Sequence, residues 1–269
     1  MSSQSRVAIL GAGVMGETLL SAILRSGVPA DQVVVSEKRE ERAAELRERH
    51  GVTVTDNAEA VRGADIVLVV VKPQDVPALL EEIAESVADG ATIVSLAAGI
   101  RIETYEAALG AGTGVIRAMP NTPALVGEGM FGVSPGTAVD EKRLTEVVDL
   151  LSAGGKVVVV PESAQNAVTA VSGSGPAYVF YLAEAMVAAG VDLGLEPEVA
   201  RTLATQTILG SARLLAESDD PADELRRRVT SPNGTTHAAI TTFDDRGVRA
   251  GLEAGVRAAA ARSAELSGS

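Results

Sequence analysis

The stretch that most restricts the fold is Gly11-Ala12-Gly13-Val14-Met15-Gly16, a G-x-G-x-x-G directly after the apolar run Arg6–Leu10. Each glycine has a separate physical role. Gly11 permits a tight turn, Gly13 lets backbone approach a pyrophosphate, and Gly16 allows a helix to pack closely on a strand. A glycine-rich turn alone is weak evidence. Here it leaves a strand, opens a helix that continues to about Ser26 and precedes a second strand at Val33–Val35, which is the context a dinucleotide site needs.

The rest of the first half extends that pattern. Strand candidates are Arg6–Leu10, Val33–Val35, Val52–Val54, Ile66–Val71, Thr92–Ser95, Val115–Met119 and Val157–Val160. Helix-length segments such as Arg39–His50, Asp75–Ala88 and Glu141–Ser152 lie between them. Apolar runs with little polar alternation suit strands buried on both faces. The expected fold class is therefore α/β, with a Rossmann-type doubly wound sheet over residues 1–162.

Ligands in such sheets bind beyond the strand C-termini. Four loops qualify here. Ser36-Glu37-Lys38-Arg39 follows the second strand, where a carboxylate binds ribose hydroxyls and basic or hydroxyl groups accommodate a 2′-phosphate. Glu37 favours NAD, whereas Ser36, Lys38 and Arg39 favour NADP. Three groups against one point to NADPH, with NADH left open. Val71-Lys72-Pro73, Leu96-Ala97-Ala98-Gly99 and Met119-Pro120-Asn121-Thr122-Pro123 end later strands. Small residues in the second of these suit a flat nicotinamide ring, and the prolines around Asn121 hold its amide in a fixed loop.

Beyond Pro161 the β-branched runs give way to Ala, Leu, Glu and Arg, and residues 163–269 read as an all-helical domain. Gly173-Ser174-Gly175-Pro176 starts a helix that is apolar nearly all round to about Val191, and so should be buried within a domain or between subunits. Pro197–Ala216, Pro221–Val229, Thr236–Phe243 and Gly247–Leu266 are further helix candidates. Between Pro221–Val229 and Thr236–Phe243 lies Thr230–Thr236, T-S-P-N-G-T-T. Its proline and glycine force a turn, and its end opens a helix whose free amides and partial positive charge suit a small carboxylate. The Thr235 and Thr236 hydroxyls add donors beside them.

Composition narrows the chemistry. With no cysteine and only His50 and His237, neither a thiolate nor a histidine metal cluster can be assembled within one chain. A net charge of −13 disfavours a nucleic-acid partner. No run approaches the roughly 18 apolar residues of a membrane span. The amino terminus lacks a signal-peptide pattern, so a cytoplasmic location is expected. After Lys156 there is no lysine, which counts against a hydroxyacid dehydrogenase that uses a helix lysine as its acid. A non-catalytic NADP-responsive protein would need the glycine loop but not the second-half motifs. His50 fits a helix C-terminus before Gly51, and His237 reads as a surface or packing residue.

Val171–Phe180 (V-S-G-S-G-P-A-Y-V-F), Arg117–Ala124 (R-A-M-P-N-T-P-A), Val71–Pro73 and the Thr230–Thr236 loop together resemble pyrroline-5-carboxylate reductases. The resemblance spans about Arg6 to Leu266. It implies reduction of the cyclic imine of 1-pyrroline-5-carboxylate to L-proline with NADPH or NADH, the last step of proline biosynthesis. It further implies a C-terminal dimerisation domain and a homodimer, with a decamer of five dimers as the larger assembly. By this resemblance Leu10 to Met15 cover the pyrophosphate, Lys38 lies near the 2′-phosphate and Asn57 near the adenosine. Val70 to Pro73 and Leu96 to Ala98 run along the cofactor. Thr236 matches the threonine that hydrogen-bonds the imine nitrogen, Ser231, Gly234 and Thr235 match the carboxylate loop, and Asp219 sits where the family has an acidic residue near substrate. Asn233 departs from the family's usual glycine. Asparagine tolerates left-handed backbone, so the turn should survive, with its amide able to face substrate.

Overall fold

The computed structural model describes residues 5–110 and 112–268. Met1–Gln4, on which the reading of the amino terminus rests, lie outside the described residues, as do Ala111 and Ser269. Among the described residues eight strands form one sheet. They are β1 (Val7–Leu10), β2 (Val33–Ser36), β3 (Thr53–Thr55), β4 (Ile66–Val69), β5 (Thr92–Ser95), β6 (Gly114–Met119), β7 (Gly129–Pro135) and β8 (Gly155–Val159). Their spatial order is β3-β2-β1-β4-β5-β6-β7-β8. All pairs are parallel except β6 with β7.

The helices that accompany the sheet are α1 (Val14–Arg25), α2 (Glu40–His50), α3 (Asn57–Val61), α4 (Val76–Ile83), α5 (Ile102–Leu109), α6 (Glu141–Ser152) and the short α7 (Gln165–Val168). Period-2 alternation in β1 explains how both faces of the sheet are covered. Val7 and Ile9 join one buried cluster with Leu20 of α1, Leu46 of α2 and Leu151 of α6. Ala8 and Leu10 join another with Leu80 and Ile83 of α4 and Tyr105 of α5. The doubly wound expectation holds.

Strand β7 was not anticipated from the sequence. Its segment G-M-F-G-V-S-P carries glycines that read as turn residues, yet they serve packing. A Cβ added at Gly132 would lie 2.5 Å from Val168 Cγ1, and one at Gly129 would lie 2.7 Å from the Gly154 carbonyl oxygen. The short helices α3 and α5 were likewise unanticipated, being too brief for a periodic signature.

The chain separates into two compact units. One runs to Ser174 and takes up the chain again from Ala259, and the other is Gly175–Ala258. The later helices are α8 (Gly175–Asp192), α9 (Pro197–Glu217), α10 (Ala222–Arg228), α11 (Thr235–Asp245) and α12 (Val248–Ser267), close to the expected spans. Small residues let α8 and α9 approach, for a Cβ at Gly190 would sit 3.1 Å from that of Ala200. Of the two expected modes of burial for α8, within a domain or between subunits, the single chain does not supply the first. None of its residues is buried, with Phe180 61% and Tyr181 74% exposed. No helix of the described residues is long and apolar enough to cross a membrane.

Candidate active site

The register of the sheet brings the cofactor candidates of the first unit to one edge. Leu10 is paired with Ser36 on one side and Val69 on the other, Val69 with Ser95, and Ser95 with Arg117. The loops after β1, β2, β4 and β5 therefore leave the sheet at one level. Strand order reverses between β1 and β4, the switch point where α/β sheets bind ligands. Gly11 N–H donates to the Ser36 carbonyl at 3.2 Å, and Val70 N–H to the Leu10 carbonyl at 2.8 Å, tying the first loops together.

The three fingerprint glycines differ in what demands them. A Cβ on Gly16 would lie 2.1 Å from the Gly11 carbonyl oxygen, so helix α1 can cross only a glycine there. Gly11 has φ +95°, and its Cβ would meet the Val70 carbonyl oxygen at 3.0 Å. Gly13, the residue before α1, has φ −66°, and a Cβ there would meet nothing within 4 Å. Neither backbone nor packing requires glycine at position 13, whereas a phosphate seated on the uncapped N-terminus of α1 would. These residues fit a dinucleotide.

Two cavities flank that cradle. One, of about 430 Å³, is lined by the expected Gly11, Ser36, Lys38, Arg39, Asn57 and Val71 and by Glu37, Gln74, Asp75, Ala78 and Leu79. The other, of about 550 Å³, is lined by Ala12, Gly13, Val14 and Arg39 with Glu41, Arg42 and Glu45. Gln74 to Leu79 and Glu41 to Glu45 escaped the sequence reading. The signal for them was positional, since they are the first turns of helices that follow β4 and β2.

Several expected residues are committed to protein partners. Ser36 is 3% exposed and its hydroxyl donates to Asn57 Oδ1, while Asn57 Nδ2 donates to Glu82 at 2.8 Å. Lys38 faces the same Glu82 at 3.7 Å. Asn121 Nδ2 donates to the Ser172 carbonyl at 3.2 Å, and its Oδ1 accepts from Met130 N–H at 2.8 Å, so the amide is held as expected, between the strands it joins and a π-helical turn at Thr169–Gly173. Leu10, Leu96 and Ala97 are buried beneath the loops, whereas Lys72 and Ala98 are exposed. Met15, Val70 and Pro73 are part-buried and line neither cavity. Behind the loop of Leu96–Ala98, Ser95 donates to Tyr105 Oη at 2.7 Å, and burial pushes the Tyr105 phenol up to about 12.

One polar cluster was missed altogether. Glu17 of α1 accepts from Arg42, from Arg49 Nη1 at 2.6 Å and from His50 Nε2 at 3.0 Å. Burial pushes its carboxyl up, but the hydrogen bonds from His50, Arg42 and Arg49 outweigh that and bring it to about 2. His50 does end α2, followed by Gly51 at φ +67°, and it also pins α2 to the cofactor helix.

In the second unit the Thr230–Thr236 loop joins α10 to α11. Gly234 N–H donates to the Ser231 carbonyl at 3.0 Å, closing the turn, and Gly234 precedes α11 with no side chain capping it. A Cβ on Gly234 would lie 2.6 Å from Ser231 Oγ. Asn233 takes φ +59°, left-handed backbone, and among the described residues it is the one non-glycine that does. Helix α11 begins at Thr235, one residue earlier than the sequence suggested. Thr236 is part-buried, and Ser231, Asn233, Thr235 and His237 are exposed. Asp219 is exposed in the bend between α9 and α10, while Asp220 beside it pairs with Arg228 at 2.5 Å. Among the described residues no cluster of acidic groups or histidines could hold a metal ion.

Comparison with known proteins identifies the family to which both parts of the chain are similar. Residues 162–266 match a family model described as pyrroline-5-carboxylate reductase dimerisation. Residues 6–99 match one described as NADP oxidoreductase, coenzyme F420-dependent. The pyrroline-5-carboxylate reductase of Mycobacterium leprae is 43% identical, with 99% of this chain and 98% of that protein covered. The solved pyrroline-5-carboxylate reductase of Coxiella burnetii superposes with a TM-score of 0.93 at 33% identity, covering 98% of this chain and 99% of the other. The Plasmodium falciparum pyrroline carboxylate reductase, solved with NADP bound, gives 0.87 at 26% identity over 98% and 99%.

Proposed function

The chain belongs to the pyrroline-5-carboxylate reductase family, and from that membership we propose how its residues carry the reaction. It is an NAD(P)H-dependent oxidoreductase that reduces the cyclic imine of 1-pyrroline-5-carboxylate to L-proline, the last step of proline biosynthesis. The observation that carries the residue assignment is the start of α11, a helix N-terminus without a side-chain cap on a turn closed by Ser231 and Gly234.

A helix N-terminus of this kind offers unpaired amides and partial positive charge to the substrate carboxylate. Ser231, Asn233, Gly234 and Thr235 form that cradle, with Asp219 at its periphery. The Thr236 hydroxyl, one residue into the helix, orients the imine nitrogen and relays its proton. A pyrroline imine needs hydride at carbon and a proton at nitrogen, and its protonated form is already electrophilic. The absence of lysine after Lys156 is then no obstacle, because no strong protein acid is required. The bound reduced nicotinamide supplies the hydride. Positioning of the reacting atoms about 3–3.5 Å apart supplies much of the rate.

The fingerprint Gly11 to Gly16 holds the pyrophosphate, Asn57 the adenosine side, and Val70 to Pro73, Leu96 to Ala98 and Asn121 the remaining length. NADPH is the preferred cofactor and NADH a weaker one, on the strength of Lys38 and Arg39 beside Ser36. Residues 1–162 serve cofactor binding, and 163–269 serve substrate binding and dimerisation. The exposed apolar face of α8 supports a homodimer, with five dimers assembling into a decamer. The same proposal assigns the enzyme to the cytoplasm.

The test is to mix the protein with NADPH and 1-pyrroline-5-carboxylate and follow loss of the nicotinamide absorbance band together with proline formation. Thr236→Ala should lower kcat about 10- to 100-fold, the worth of one hydrogen bond to a charged group, while the Kd for NADPH changes little. Unchanged turnover in that variant would remove Thr236 from the mechanism.

A further inference from the structure

The two cavities on the cofactor edge share one side chain, Arg39. Its guanidinium is engaged by Glu37. Arg39 Nε donates to Glu37 Oε1 at 3.0 Å and Nη2 to Oε2 at 3.1 Å, and the Arg39 backbone N–H adds a third bond to Oε1 at 3.0 Å. The two side chains differ in freedom. That of Glu37 is 9% exposed and that of Arg39 is 69% exposed, so the carboxylate is the fixed base and the guanidinium the movable part.

A carboxylate just past the second strand of such a sheet normally accepts ribose hydroxyls and repels a 2′-phosphate. Here both of its oxygens already accept from Arg39, Oε1 twice and Oε2 once. The Arg39 hydrogen bonds, acting against burial, hold the Glu37 carboxyl below its ordinary range, so it stays ionised. The neighbouring cations have other carboxylates. Lys38 faces Glu82 at 3.7 Å, and Arg42 pairs with Glu17 and with Glu45. Resting on the reading that a nicotinamide nucleotide binds this edge, we propose that Glu37 and Arg39 form one discriminating unit. By occupying Glu37, Arg39 withdraws the acceptor that an unphosphorylated ribose would use, and it presents a forked cation suited to a 2′-phosphate. This pair, more than Lys38, sets the preference between the two cofactors. Loss of Arg39 has two effects in the same direction, since it removes a phosphate partner and uncovers a repelling carboxylate.

The test uses the full chain and two nicotinamide-free probes, 2′,5′-ADP and 5′-ADP, titrated by calorimetry so that catalysis plays no part. The affinity ratio of the first probe to the second should fall about 30-fold in Arg39→Gln, with 5′-ADP bound as well as or better than by the unaltered protein. Glu37→Gln should raise that ratio, and Lys38→Gln should change it less than Arg39→Gln does. The proposal is overturned if Arg39→Gln weakens both probes equally, which would make Arg39 a general phosphate anchor, or if Lys38→Gln has the larger effect. Failure of the unaltered protein to prefer 2′,5′-ADP would instead overturn the underlying NADPH reading, and the proposal with it.

Discussion

Gly13→Ala should separate the binding role of the glycine fingerprint from its folding role. At Gly16 an added Cβ would lie 2.1 Å from the Gly11 carbonyl oxygen, and Gly11 itself has φ +95°. At Gly13 the backbone, φ −66° and ψ −169°, suits any residue, and the added methyl meets nothing within 4 Å. A glycine-to-alanine change at an unstrained position stabilises by about 0.4–1 kcal/mol, because the unfolded chain has less freedom to lose. For a unit of this size that should raise Tm by roughly 1–4 °C. Cofactor binding should move the other way. A methyl between the first amides of α1 and a pyrophosphate prevents one or two charge-assisted hydrogen bonds, each worth about 1.5–3 kcal/mol. The Kd for NADPH should therefore rise by at least about tenfold and, with both bonds lost, by well over a hundredfold. Melting of the cofactor-free protein and nicotinamide fluorescence titration measure the two effects separately. Gly16→Ala provides the contrast, since it should melt below the unaltered protein. A Gly13→Ala protein that binds NADPH normally, or that melts lower, would refute the argument that only a ligand requires glycine there.

Two further outcomes test how the site is supported. Tyr105→Phe strands the fully buried Ser95 hydroxyl that donates to it at 2.7 Å, so urea unfolding should show a loss of about 1–3 kcal/mol. Ser95→Ala combined with Tyr105→Phe should recover most of that loss. A double variant no more stable than Tyr105→Phe would show that the hydroxyl was not stranded. Glu17 has its folded pKa at about 2 against an ordinary value of 4.5, brought down by His50, Arg42 and Arg49 in spite of burial. A depressed carboxylate stabilises the fold fully above the higher value and loses that contribution as pH falls towards the lower one. The urea midpoint should thus decline through this acid window. Glu17→Gln should start lower and decline less. An equal acid slope in both proteins would assign the decline to other carboxylates.

What the sequence revealed and what it concealed follow from the range of the interactions. Strands β1, β2, β4 and β5 were legible because their composition reports burial on both faces, a local property. Strand β7 was not, since Gly132 is small for the sake of Val168, 36 residues away, and looks like a turn residue unless that partner is known. The cofactor edge shows the same division. Gly11 and Gly16 could be read from backbone chemistry, but the commitments of Ser36 to Asn57 and of Glu37 to Arg39 depend on side-chain placement. Helix α8 is the sharpest case. Its apolar periphery calls for cover, yet none of its residues is buried in one chain, because hydrophobicity states that a surface must be covered without stating which chain covers it. Asn233 lies at the other extreme. Its left-handed backbone follows from the local demands of S-P-N-G, and φ +59° is what one of the few side chains able to bear that conformation adopts. The turn that presents the α11 N-terminus thus depends on chemistry within four residues, and asparagine at position 233 meets its demand for left-handed backbone.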